Sequence, residues 1–252
     1  GDSDLQEAVD KAAKLDQSKY TTDSWNNLQS AVATANGLKG SHDQQAIWNA
    51  ISGVDKAIDK LAYKDGRTHL SCVTSGDGAT GPHANDFCWI DWSRLDIKDW
   101  DYSKSHPIAV DLPGGTVTAD LKLSKTDDAN LAAHGFPNNN LAKAYALGSA
   151  NIGLTMESTS TAWANRKATA EFTNIKANPD SGHSFDGWGM LFGDSEVMSW
   201  IRDNHSRYEQ TIIESDKTLT EVGLVGDTDP AHSYCGGVTK EDKRITLTGG
   251  GG

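Results

Sequence analysis

The chain has 252 residues, 37% hydrophobic and 23% charged, which is material for about two domains. Its net charge of −12 argues against nucleic acid and anionic lipid as partners, because both need clustered Lys and Arg. No apolar run approaches the ~20 residues that cross a bilayer, so no membrane insertion is expected.

Gly1-Asp2-Ser3 reads as a trimmed start, which leaves room for a signal or a wall anchor. Helical spacing then begins. Leu5, Ala8, Val9, Ala12, Ala13 and Leu15 form a first apolar stripe; Trp25, Leu28, Ala31, Val32 and Ala35 form a second; Ile47, Ala50, Ile51, Val54, Ile58 and Leu61 form a third. Thr21 or Thr22 suits the N-cap of the second helix, with Tyr20 placed to staple onto its first turn. Gly37 and Gly40 close that helix, and Ser41 or Asp43 suits the cap of the third. Three stripes with short connections predict an antiparallel three-helix bundle over about residues 3–62.

The segments YTTDSWNNLQSAVATA and QQAIWNAISGVDKAIDKL resemble the FIVAR module, a spacer found in Gram-positive surface proteins and secreted glycosidases. The match spans nearly all of residues 3–62. In physical terms Tyr20 and Trp25 are large anchors in a core otherwise rich in Ala. The resemblance implies a stalk or spacer; the alternative for Tyr20 and Trp25 is a sugar-stacking pair.

From Arg67 onward the apolar period changes to two. Short runs at Thr68–Thr74, Phe87–Trp92, Thr116–Leu123, Ala168–Ile175, Gly187–Phe192, Tyr208–Ile213, Leu219–Leu224 and Ile245–Thr248 read as strands, punctuated by Asp111-Leu112-Pro113-Gly114-Gly115 and Asn178-Pro179-Asp180. A turn is expected around Asp128–His134. Eight or more short strands in about 185 residues predict a two-sheet sandwich, with Trp89, Trp92, Trp100, Trp163, Trp188 and Trp200 supplying much of its core. The three cysteines, Cys72, Cys88 and Cys235, form no CxxC and allow one disulfide. Cys72 with Cys88 joins neighbouring strands; Cys88 with Cys235 ties the first strands to the last; three buried thiols are the third reading.

The ordered series FCWIDWSRLD, AVDLPGGTVTADLKL, GWGMLFGDSE and YCGG resembles the lectin-like ligand-binding domain of CshA-type fibrillar adhesins over about residues 67–249. Its most specific elements are Cys88-Trp89-Ile90-Asp91-Trp92-Ser93 and Gly193-Asp194-Ser195-Glu196, where the family tends to carry an acidic pair. The family often follows that pair with small polar residues; this chain has Val197-Met198-Ser199-Trp200. The resemblance implies a β-sandwich that binds host glycoproteins and catalyses no reaction.

The candidate binding residues are Asp194, Glu196, Trp200, Trp100 and Asp101. Asp194 and Glu196 lie two apart, so on a continued strand both face one side at about 6–7 Å between Cα atoms. Such a pair can accept hydrogen bonds from sugar hydroxyls, hold calcium, act as acid and base, or simply cap a loop. Trp188, Trp200 and Tyr208 flank it, and a sugar ring packs its C–H face on an exposed aromatic plane. The competing reading buries Trp188 in a strand and leaves only Trp200 exposed. Asp99-Trp100-Asp101-Tyr102 offers a second groove wall, or a turn whose rings pack on the sheet edge. Pro137-Asn138-Asn139-Asn140 supplies amides for a glycan or, more simply, a solvated turn. The eight histidines are scattered without HExxH or HxxEH spacing, and there is no GxSxG elbow, P-loop or dinucleotide fingerprint.

The sequence therefore predicts an α+β multidomain chain: a FIVAR-like three-helix bundle at residues 1–63, then an all-β two-sheet sandwich of lectin-like, jelly-roll type at residues 64–252. The expected function is that of a non-catalytic, extracellular adhesin fragment, monomeric within a larger chain, that binds a host glycan or glycoprotein of mucin or matrix. The alternative is a carbohydrate-binding ancillary module of a large extracellular glycoside hydrolase. No cofactor is expected, with calcium at the acidic pair left open.

Overall fold

The computed structural model describes residues 1–135, 140–158, 166–193, 210–222 and 235–249. The fold is α+β: helices occupy the first sixty residues and strands dominate the rest.

Three helices, α1 (Asp2–Ala13), α2 (Thr22–Gly37) and α3 (Gln44–Asp59), match the three apolar stripes. Asp43 caps α3 by accepting from the Ala46 N–H at 3.0 Å. Thr21 is the N-cap residue of α2, and its hydroxyl lies 2.8 Å from the Ser24 hydroxyl. Tyr20 and Trp25 stack at 5.8 Å, the hydrophobic staple that the spacing predicts. Contacts between helix ends give the directions. The Gly40 N–H donates to Asp2, so the end of α2 meets the start of α1. The Thr21 N–H donates to the Ala62 carbonyl, so the start of α2 meets the chain just beyond α3. Lys11 pairs with Asp55, joining the late turns of α1 and α3. The helices thus run up, down and up around one core in which Leu5, Leu28, Ala35 and Val54 are fully buried.

The largest sheet has five strands in the order β2 (Cys88–Ile90), β1 (Thr68–Thr74), β3 (His106–Leu112), β4 (Gly115–Lys125), β7 (Ala168–Pro179). β1 and β3 pair in parallel; the other pairs are antiparallel. The β3–β4 hairpin turns at Pro113-Gly114, with Gly114 at φ 87°, a conformation suited to glycine. Its register sorts the side chains into two faces. One carries Leu70, Ile108, Leu121 and Leu123, packed under Trp92, Leu95, Ile97 and the strand pair β5 (Ala129–His134) and β6 (Gly153–Ser158). The other carries His69, Asp111, Thr118 and Asp120, a polar face. A smaller core gathers Tyr145, Leu147 and Ile152, just after the short helix α4 (Asn140–Ala144), against Phe87 and Trp89. Strands β8 (Gln210–Glu214), β10 (Arg244–Gly249) and β9 (Cys235–Glu241) form a separate three-stranded sheet.

Several strand expectations shift. β3 and β6 lie outside the predicted runs, and residues 129–134 form a strand instead of a turn. Residues 187–193 form no strand; Gly187, where the expected run begins, sits at φ 71°, outside the extended region. Residues 219–222 likewise lie outside any strand. The disulfide links Cys72 to Cys88, with Cα atoms 5.4 Å apart on adjacent strands.

Candidate functional site

Of the predicted binding residues, Trp100 and Asp101 fall within the described structure; Asp194, Glu196 and Trp200 lie outside the described residues, as do Pro137-Asn138-Asn139. The loop leading into β3 carries Trp100 and Asp101 in opposite senses. Trp100 is half-buried and packs on the core beneath the five-stranded sheet. Its ring lies 4.0 Å from that of His106, whose Nε2 is 2.9 Å from the Asp101 carbonyl. The Trp100 indole nitrogen is buried without a hydrogen-bond partner among the described residues. Tyr102 is also half-buried, and Lys125 sits over its ring at 5.4 Å.

Asp101 is exposed, and one of its oxygens is fully used. Oδ1 accepts from the Ser103 N–H at 3.0 Å and from the Ser103 hydroxyl at 2.6 Å. Those two bonds, with Lys104 nearby, hold the carboxyl down at a pKa of about 2. Asp91 makes the same pair of hydrogen bonds with Ser93, accepting from its N–H at 2.9 Å and its hydroxyl at 2.5 Å. Asp16 repeats the pattern with Ser18. An Asp-x-Ser turn is therefore a recurrent local device here, and it explains why an acidic residue at each of these positions organises the backbone.

A different part of the β-rich segment presents aromatic surface. Trp188 is 43% exposed and Phe192 45% exposed, so Trp188 is not held inside a strand. Phe192 continues a row of rings: it lies 6.2 Å from Phe172, which lies 6.2 Å from the buried Trp92. A Cβ placed on Gly193 would touch the Trp89 ring at 3.6 Å. The segment that ends just ahead of Asp194 thus runs against the sheet's aromatic residues with Trp188 turned to solvent.

The polar face of the sheet holds a cluster that no sequence motif announced. His69 is 9% exposed and sits between two carboxylates. Its Nδ1 is 2.8 Å from Asp111 and its Nε2 is 2.7 Å from Asp65. Tyr63 stacks on the imidazole at 3.6 Å, nearly parallel. Burial works against a charged His69, yet the hydrogen bonds to Asp111 and Asp65 and their charges outweigh it and raise its pKa above 6.5. Burial, and then the bond to Tyr20, raise the pKa of Tyr63. Asp65 and His69 are four apart in sequence, a visible spacing, but Asp111 joins them only through the parallel β1–β3 register.

Among the described residues, no group of three or more His, Cys, Asp and Glu is arranged to hold a metal ion. No described helix is long and apolar enough to cross a membrane. Two concavities of about 300 and 380 Å³ lie between α2 and α3, both bordered by Ala31 and Gly53. No family model, curated protein or solved structure matches the chain.

Proposed function

We propose that this chain is a non-catalytic binding fragment of a bacterial surface or secreted protein. Residues 1–63 serve as a three-helix spacer of the FIVAR type. Residues 64–252 serve as a lectin-like sandwich unit that docks on a host glycan or glycoprotein. The observation that carries this reading is the exposure of Trp188 and Phe192, six and two residues ahead of Asp194 in the sequence. An exposed indole offers a flat apolar plane for the C–H face of a sugar, and neighbouring acids accept from its hydroxyls. The Cys72–Cys88 disulfide supports an oxidising, extracytoplasmic setting. The net charge of −12 fits a neutral or basic partner better than a nucleic acid or an anionic lipid surface.

A glycan array, with mucin and matrix glycoproteins included and the full chain as probe, tests the reading. Binding to a defined sugar class is expected, without release of free sugar from mucin O-glycans. Sugar release would replace the docking reading with a hydrolytic one.

A further inference from the structure

The segment between α3 and β1 is tied down on both sides. Toward the helices, the Lys64 N–H donates to the Lys19 carbonyl at 2.9 Å, and Tyr63 packs on Tyr20 at 4.7 Å. Toward the sheet, the Arg67 guanidinium donates to the carbonyls of Ile108 and Ala119 at 3.2 and 3.1 Å. Between these ties lies His69 with its two carboxylates. Among the described residues, α1, α2 and α3 otherwise pack on one another, and the strands pack on strands and on the short turn Trp92–Arg94. Contact between α1–α3 and the sheet is therefore concentrated, among the described residues, in this short stretch.

The geometry sets a proton requirement. A carboxylate only accepts hydrogen bonds, and a neutral imidazole has one N–H. Carboxylate oxygens at 2.8 and 2.7 Å from the two ring nitrogens need two N–H donors, which only the imidazolium supplies. Loss of one proton turns a ring lone pair toward a carboxylate, so one of the two contacts must open. His69 lies on β1 and Asp111 on β3, two strands held in register by their backbone pairing, so the contact that yields is the one to Asp65, the carboxylate by which the connector is attached to the sheet. The stack of Tyr63 on the ring weakens with it, since a cation on an aromatic face is held more strongly than a neutral ring.

We infer that Asp65, His69 and Asp111 form a proton-operated joint, which fixes the helices against the sheet when the imidazole carries two protons and frees them when it carries one. The groups facing the ring are Asp65 and Tyr63 from the connector and Asp111 from β3; Arg94, from the short turn after β2, reaches Tyr63 with its charge. Because the folded-state pKa of His69 is raised, the stabilisation is complete below the unfolded value of 6.5 and is lost as pH rises through the folded value. Alkalinity loosens the joint. It would work in the same way whatever the β-rich segment binds.

Nuclear magnetic resonance of the full chain tests this with two readouts across pH: the His69 ring titration and the amide 15N relaxation of helices and strands. The expected midpoint lies above 6.5, the ordinary histidine value. Below it, helices and sheet should tumble with one correlation time; above it, the two should separate. Asp111→Asn supplies an amide donor that a neutral ring can accept from, so this variant should lower the midpoint and keep common tumbling at high pH. A midpoint at or below 6.5, or common tumbling unchanged across the parent's transition, overturns the joint. So does an Asp111→Asn chain that separates as the parent does. The parent chain alone decides the matter if the variant fails to fold.

Discussion

The helices and the strands of this chain are stabilised by different kinds of side chain. The helical core is small and aliphatic: Leu5, Leu28, Ala35 and Val54 are fully buried, and Tyr20 and Trp25 close one end. The β-rich cores lean on rings, with Trp92 buried on Phe172 and with Phe87, Trp89 and Tyr145 within 5.4 Å of one another. Aliphatic stripes on the three helices satisfy one another within the first sixty residues. Rings on a mostly antiparallel sheet need partners far along the chain, and those that lack one face solvent. Surface available for recognition therefore collects where packing is aromatic and non-local.

Damage to one core should leave the other standing. Leu28→Ala removes a fully buried side chain and should cost about 2–5 kcal/mol. In a denaturant melt followed by helix-specific and strand-specific amide signals, the helical transition should move and the strand transition should hold. Equal movement would show one cooperative unit instead of two cores. Next in size, replacing Cys72 and Cys88 together by Ala should destabilise the strands by about 3 kcal/mol, as expected for a short closed loop. Peptide mapping of the parent without reductant should recover the Cys72–Cys88 pair. Trp188→Ala should cost about 1–3 kcal/mol in glycan affinity, read by calorimetry, while the melting temperature stays within error. The smallest effect sharpens the helical side: Asp43→Ala deletes the α3 cap and should cost about 1 kcal/mol in the helical transition alone.

The same contrast governs what could be read from the sequence. All three helices are visible because burial repeats every three to four residues and caps such as Asp43 are local signals. β1 is visible as well, with Leu70 inside and polar neighbours around it. β3 is not, because Ile108, Ala109 and Val110 are buried in succession and show no alternation. Residues 129–134, Ala-Asn-Leu-Ala-Ala-His, carry no strand preference; pairing with β6 makes them a strand. The candidate site divides in the same way. Asp101 is a turn residue because Ser103 follows two positions later, a local pattern open to reading. Alternation reads residues 187–192 as a strand; Gly187 opens that segment at φ 71°, outside the extended region, and Trp188 after it faces solvent. The His69 cluster depends on a parallel register forty-two residues long in sequence separation, which no local window contains.

Two exposed tryptophans decide between the regions. Trp48 on α3 is 67% exposed and Trp188 is 43% exposed, so exposure by itself favours the helical one. Affinities of the full chain, Trp48→Ala and Trp188→Ala for the sugar selected on the array give the direct comparison. Loss of binding in Trp188→Ala with parental affinity in Trp48→Ala is the expected result. Parental affinity in Trp188→Ala, or loss in Trp48→Ala, would contradict recognition by the β-rich segment.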